Sequence, residues 1–589
     1  MLTAENRYIA LFGERNRYMG LTNVIDLAIL YLAAVVAFRR IHDWAVLATA
    51  AGSAVLVAVV YGTIQYTGHD PISWGADPRV RPFGTLGNPD MYGHLLATTV
   101  AACTGLVFVA RSPIVRLGSI GLGAGSLTML AIIGTRGSVI ALVGALAIGG
   151  IVAAAARGRA FLRSREAIAA VALGVFLIVV LVAFTPTGQR LLSAAPTNDR
   201  VLLWTGSWRA FLARPLLGWG PDSLAAGFGS VRPDGFEGVF NQHELIDDEA
   251  HNWILQALAT TGIVGGVALV ALVAGSSILL LRERRGPLAV VVWPLGLAAL
   301  AYWGNALLSP DSVGISWIPW LIFAATVWLV GRAPLIVPEI RRLPPAVVAG
   351  VLGVSFLAAG TGWNTYRANE EILRAAITYP ANAMETIAGS DAAIKLDSGR
   401  GDYYNYRGLG FQLVGSFASA AADFDEATRR VPYQYAYWIN LSRARLFQMQ
   451  NGDQSGGGGA AALAAAKRGV EVDPRVHAPH RNYAEVALAL GDPGLAFDEA
   501  RIAFDMYMLD PLTDAVLAAS AAQLPDRELA RRTLEAALAK KNSPVLWAGL
   551  AQVHLAAGNL AAAGNAARRA LELDPSNADA KKVIAATGG

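Results

Sequence analysis

Three residues stand where side chains of their type can do chemistry. Arg136 interrupts two apolar runs in IIGTRGSVIALVG (132–144). A guanidinium at the edge of hydrocarbon reads in two ways: an anchor that snorkels to headgroups, or a rigid donor fork that fits phosphate oxygens in pairs. Arg200 opens RVLLWTGSWRAFLARPLLGWGPDSL (200–224), an amphipathic helical stretch that stops at Gly218-Trp219-Gly220-Pro221. Trp204, Trp208 and Trp219 in it suit an interface that is half wet and half apolar. Arg209 reads as a substrate contact or as a solvated helix-face residue, and Arg214 as a solvated helix-face residue. His251 ends the acidic run Asp247-Asp248-Glu249-Ala250, just ahead of the apolar run WILQALATTGIVGG. A neutral imidazole there can accept a proton near neutral pH, or can serve as a structural hydrogen-bonder. Asp248 and Glu249 are placed to orient it, or are solvated loop residues. No Asp-x-Asp metal motif is evident, and no cofactor is expected.

The elements that must position these residues cross a membrane. Of 589 residues 54% are hydrophobic and 16% charged, with mean hydropathy +0.42, where a soluble chain carries about a quarter charged residues. Apolar runs long enough for roughly 30 Å of hydrocarbon fall near 22–37, 44–62, 93–110, 117–134, 138–156, 167–184, 252–281, 287–308, 315–331 and 344–363. Basic loops at Arg39-Arg40, Arg111 with Arg116, Arg157 to Arg165, Arg282 to Arg285, and Arg332 with Arg341-Arg342 occupy alternate boundaries. The excess of Lys and Arg in cytoplasmic loops then puts 63–92, the large loop 185–251 and the turn at Arg136 on the extracytoplasmic side of a plasma membrane. It places residues 369–589 outside as well, and also residues 1–21, although these are polar and lack a signal peptide. The expectation is an odd number of helices ahead of Met1. The net charge of +4 gives no case for nucleic acid, and the single cysteine, Cys103, lies in an apolar run as a small hydrophobe.

From 369 to 589 the chain turns Ala-rich and amphipathic. Turn signals recur at Leu396-Asp397-Ser398, Val431-Pro432-Tyr433, Val472-Asp473-Pro474, Leu509-Asp510-Pro511, Asn542-Ser543-Pro544 and Leu573-Asp574-Pro575. Successive signals lie 34, 42, 37, 33 and 31 residues apart, and the long step contains a Gly-rich insertion, Gly452 to Gly459, expected to be flexible. A period near 34 resembles the tetratricopeptide repeat (TPR), whose helix pairs stack into a superhelix with a concave face. The fold expected is all-α: a polytopic membrane helix bundle over 22–363, then a TPR α-solenoid over 369–589 able to take a protein partner.

The site residues sit in a recognisable succession. Arg136-Gly137 at a span end, Arg200-x-x-x-Trp204 followed by the PLLGWG turn, and His251-Asn252-x-x-Leu255-Gln256-x-Leu258-x-x-x-Gly262-x-x-Gly265 resemble the O-antigen ligase and polymerase superfamily. GTLGNPDMYGHLLA (84–97) resembles its Gly-Asn-Pro turn, and LFGERNRYMGL (11–21) a segment that in the family follows several helices. The resemblance covers about 8–331. It implies a GT-C-like, metal-independent glycosyltransferase. Such an enzyme moves a glycan from an undecaprenyl-pyrophosphate (polyprenyl-pyrophosphate) carrier to a glycan, lipid or protein acceptor hydroxyl outside the membrane. It implies Arg136 and Arg200 on the pyrophosphate, with Trp204 and Arg209 nearby, and His251 activating the acceptor. Two other functions compete. A lipid-linked glycan flippase expects its cations near the membrane midplane in broken helices, and a membrane-anchored repeat scaffold expects the three residues to be scattered.

Overall fold

The computed structural model describes residues 4–15, 17–72, 74, 77–157, 198–237, 248–309, 311–331 and 345–588, and among them every regular element is a helix. They form two compact units: Met1–Leu224 with Asp247–Arg341, and Ala225–Ile246 with Arg342–Gly589.

In chain order the first helices are α1 (Arg7–Phe12), α2 (Leu21–Ala37), α3 (Ile41–Tyr66), α4 (Pro89–Val109), α5 (Pro113–Ile133), α6 (Arg136–Arg157), α7 (Asn198–Ala213), α8 (Leu224–Val231), α9 (Trp253–Glu283), α10 (Ala289–Ala306) and α11 (Trp317–Val330). Six of them, α3, α4, α5, α6, α9 and α10, are long and apolar enough to cross a membrane, while α2 and α11 are shorter apolar helices. The expected span 167–184 lies outside the described residues. The run 344–363 opens one long helix, α12 (Pro345–Thr378), which groups with the repeats.

Polar caps set where these helices begin. Asn88 accepts from the amides of Asp90 and Met91, Ser112 from Val115, and Asn252 from Ile254 and Leu255; Pro89 and Pro113 follow as first helical residues. Gly134, with φ +73°, ends α5 and turns the chain straight into α6, so Arg136 is that helix's first residue. α4 lies at the centre, its Leu96, Ala97 and Ala101 fully buried with Leu130, Ile133 and Ala301. Small residues bring the backbones together: a Cβ on Gly105 would come within 2.6 Å of Pro294 Cα in α10.

α9 breaks at Gly262, whose φ of +68° and ψ of −169° interrupt the helical ladder. The PLLGWG turn fills the break. Trp219 and Gly220 donate to the carbonyls of Ala259 and Thr260 at 3.0 and 2.8 Å, and Ile263 donates to Pro215 at 2.8 Å. A Cβ on Gly262 would lie 2.2 Å from Leu216 O. The spaced motif glycine is therefore a requirement of backbone docking.

In the second unit five helix pairs run from Gly401 to Leu573, and each turn signal from Leu396 onward falls just ahead of a pair or of the closing helix Ala578–Thr587. Alanines at the crossings, among them Ala484, Ala500, Ala530, Ala551 and Ala567, are fully buried and let short helices approach closely. The Gly-rich insertion is a pinned turn: Gln448 Nε2 donates to Asp453 and Ser455, and Gly458 and Gly459 already belong to helix Gly458–Val472.

Candidate functional site

The first unit collects its polar groups at one end of the bundle, around the turn that follows α10. Arg200 Nη1 donates to the carbonyl of Leu308. Asn252 Nδ2 donates to Leu307 O at 3.4 Å. Asn305 Nδ2 donates to Ser138 Oγ at 2.9 Å. A Cβ on Gly137 would meet Ser309 Oγ at 3.0 Å and Leu308 Cβ at 3.3 Å. Residues 305–309 thus gather the neighbours of Arg136, Arg200 itself, and the neighbour of His251. Gly93 explains how α4 joins them: a Cβ there would fall 2.2 Å from Thr135 Oγ1. Arg81 completes this edge, its Nη2 on Asp90 at 2.8 Å and its Nε on Ile133 O at 3.4 Å.

His251 is half-buried and has φ +48°, a left-handed conformation rare for a residue with a side chain. It is held from both sides: Gln256 Oε1 accepts from Ala250 N at 2.8 Å, and Asn252 caps α9. Strain of this kind persists where surrounding structure enforces it, often at functional sites. Burial pushes the imidazole pKa down, and the Arg200 and Arg17 guanidinia add to this against the opposing charges of Asp90 and Asp248. The imidazole is therefore neutral at pH 7 and able to accept a proton.

Asp248 and Glu249, expected to orient His251 or to be solvated, are instead partners of Arg17. This arginine is buried, with Nη2 on Asp222 at 2.7 Å and Nη1 on Asp248 and Glu249 at 2.8 and 3.3 Å. Asp222 also accepts from the amides of Glu14 and Met19, Glu249 accepts from Asp311 N at 2.9 Å, and Asp311 accepts from the Tyr302 hydroxyl at 3.0 Å. One guanidinium therefore ties together the N-terminal loop, the Gly-Pro-Asp turn, the His251 loop and the turn before α11. Its loop closes through glycines, since a Cβ on Gly20 would lie 2.4 Å from Gly13 N. Burial raises the Glu249 carboxyl to about 8 despite Arg17, and raises Asp311 to about 6. With more carboxylates than cations in a desolvated cluster, a proton stays bound near neutral pH.

Of the residues singled out from sequence, Arg136, Arg200 and His251 are brought to one end of the bundle. Trp204, one turn after Arg200, is half-buried, and its indole N–H is buried with no acceptor among the described residues. Arg209, nine residues on from Arg200, projects from the opposite face of α7 and is exposed. Arg214 stacks on Trp219 at 3.8 Å and pairs with Glu5. Sequence reasoning missed Arg17, Asp222 and the 305–311 turn as parts of the site. The signal for Arg17 was present in the quoted Phe12-Gly13…Arg17…Gly20-Leu21 segment. Nothing local marks Asp311.

Helices of membrane length, a polar cluster at one bundle end and a run of helix pairs define a multi-pass helical membrane protein with a repeat solenoid. Residues 121–270 match the model of the O-antigen ligase family: the chain carries an O-antigen ligase domain joined to tetratricopeptide repeats. Its role is accordingly of the membrane glycan-ligase type. The matched span contains Arg136, Arg200 and His251 and leaves Arg17 and the 305–311 turn outside it. Among solved structures, a thermophilic TPR protein of Thermus thermophilus is 22% identical, with 32% of this chain and 98% of that one covered and a TM-score of 0.24. Pseudomonas aeruginosa pilF gives 12%, 38%, 99% and 0.30, and yeast Tom70 gives 14%, 82%, 89% and 0.27. At these scores the repeat assignment rests on the helix pairs themselves. None of the curated proteins searched matches the chain.

Proposed function

We propose that this protein transfers a glycan from an undecaprenyl-pyrophosphate-linked donor to an acceptor hydroxyl on the extracytoplasmic face of the membrane. The observation that carries the reading is the convergence of Arg200, Gly137-Ser138 and Asn252 on residues 305–309. His251 takes the proton from the acceptor hydroxyl as its oxygen bonds to the donor sugar's anomeric carbon. The bond from that carbon to the pyrophosphate oxygen breaks, and the lipid pyrophosphate leaves with the electron pair. Arg136 and Arg200 stabilise the growing charge, work that guanidinium forks do well on paired phosphate oxygens. Trp204 lies on the Arg200 side of α7, and Arg209 on the other face is assigned to headgroups. The face of the membrane is read from the basic loops. Impermeant thiol labelling of Ser230→Cys and Ser455→Cys in intact cells checks it, and protection of either position would reverse it.

The central experiment gives purified protein a lipid-linked oligosaccharide and candidate acceptors, with products resolved by mass and donor binding measured separately. His251→Ala is expected to lose transfer by roughly 10²- to 10⁴-fold with donor binding nearly intact. Arg136→Lys is expected to lose most transfer although charge is kept, because an ammonium cannot reproduce the paired donors. Full transfer by His251→Ala would remove the proposed base.

A further inference from the structure

The segment Ala225–Ile246 groups with the repeats although membrane-unit residues flank it in sequence. Its described part shows how it is held. Gly229 lies against the Val472 carbonyl and the Asp473 carboxylate, where a Cβ would come within 3.2 and 3.3 Å. Arg232, 1% exposed, sends Nε and Nη2 to Asp473 Oδ2 at 2.9 and 2.6 Å, and Asp473 is 0% exposed. The Arg232 guanidinium also lies 5.0 Å from the centre of the Phe236 ring. Glu237 accepts from His477 N at 3.0 Å and pairs with the same residue's Nδ1. Arg475 reaches Asp234 at 3.0 Å.

Two features separate this from casual packing. Helix His477–Ala489 follows Val476 and, like the four repeat helices before it, has no side-chain cap of its own, whereas Asp492, Asp510 and Asp526 cap the next three. Glu237 fills the gap, its carboxylate on an end amide where the helix dipole favours negative charge. Asp473 also differs from its counterparts in the repeat turns. Like Asp510 and Asp574, which accept from Leu512 N and Ser576 N, Asp473 accepts from the amide two residues on, at Arg475, and it adds to this a buried arginine 241 residues away in sequence. A buried ion pair persists only with good geometry and filled hydrogen bonds. This one has both.

We propose that the ligand of the repeat domain at residues 472–477 is the protein's own segment 225–237, and that this hold positions the Asp222 flank of the candidate site. The tether on this side is short: two residues, Ser223 and Leu224, separate Asp222 from Ala225. Asp222 and Asp248 are two of the three carboxylates on Arg17. Arg232, Glu237, Asp473 and His477 are therefore positioning residues, coupled through Ser223 and Leu224 to Asp222 and so to Arg17. The activity readout rests on the transfer reaction proposed above; the binding readout does not.

The test uses full-length protein in detergent and records hydrogen exchange and transfer kinetics together. In Asp473→Asn the amides of 225–237 are expected to exchange at least about tenfold faster while those of helices 511–573 keep their rates. Transfer kcat falls roughly 10- to 100-fold, with donor KM nearly constant. The double variant Arg232→Leu with Asp473→Leu, which replaces the pair by apolar contact, restores protection and most of the kcat. This variant keeps the proposal decidable if Asp473→Asn fails to fold, because an exposed 225–237 on intact repeats with unchanged kcat overturns it. Unchanged exchange at 225–237 in folded Asp473→Asn overturns the hold, and release of the segment at full kcat overturns the positioning role. Wild-type protein without transfer activity counts against the reaction alone, since exchange still reads the hold.

Discussion

The membrane-helix unit and the repeat unit treat charge in opposite ways. Around Arg17 three carboxylates share one buried guanidinium, and Asp311 stands one hydrogen bond further on. In the repeats several pairs lie one helical turn apart on the surface, as in Arg531 with Glu528 and Glu535 or Arg569 with Glu572, and the buried Arg232 is matched by Asp473. Matched, wet charge serves solubility and helix register. Unmatched, dry charge cannot all be ionised, so the bundle end holds a proton at neutral pH beside an imidazole kept neutral. The two regions teach that a count of charges says little; desolvation decides what each group does.

The largest expected effect breaks this contrast at its centre. Arg17→Met leaves buried carboxylates without their cation and is expected to cost about 3–5 kcal/mol, whereas Arg569→Ala in an exposed pair stays within about 0.5 kcal/mol. Thermal unfolding of both in the same detergent measures the difference, and equal costs would end the distinction. Next comes Gly262→Ala, which forces a Cβ onto Leu216 O and a side chain into a left-handed backbone. A loss of about 1–3 kcal/mol is expected, with transfer falling alongside; wild-type stability would show that the α9 break is not needed.

The smallest effect sharpens the comparison through pH. Burial lifts the Glu249 carboxyl to about 8 from an ordinary 4.5, so between those values the folded protein holds a proton that the unfolded chain has released. Stability must therefore fall as pH rises through that window. Unfolding temperatures between about pH 5 and pH 8.5 should show this slope, and Glu249→Gln, which can still accept from Asp311 N, should flatten it. A slope unaltered by that change would place the bound proton elsewhere.

Much of the helical framework was legible because it is local. Apolar runs such as 93–110 and 138–156 reappear as α4 and α6, and the Asp-Pro turns fall between helix pairs because proline and capping aspartate act on their own neighbours. The Gly262 spacing was visible too, although its reason, a backbone turn filling a helix break, was not. The flexibility expected of Gly452 to Gly459 gave way to a turn pinned by Gln448, a side chain outside the run.

Amino-acid order by itself determined which stretches are helical, which faces are apolar, and that Arg136, Arg200 and His251 carry suitable chemistry. Only the tertiary structure decided who meets whom. Arg17 reaches carboxylates 205 to 232 residues away, residues 305–309 gather three separate segments, and Arg232 leaves the membrane unit's sequence for a repeat turn. The physical reason is that helical periodicity reports only whether a face is apolar. The pairing of buried charges is fixed by which groups lose water together, and that depends on how the helices pack.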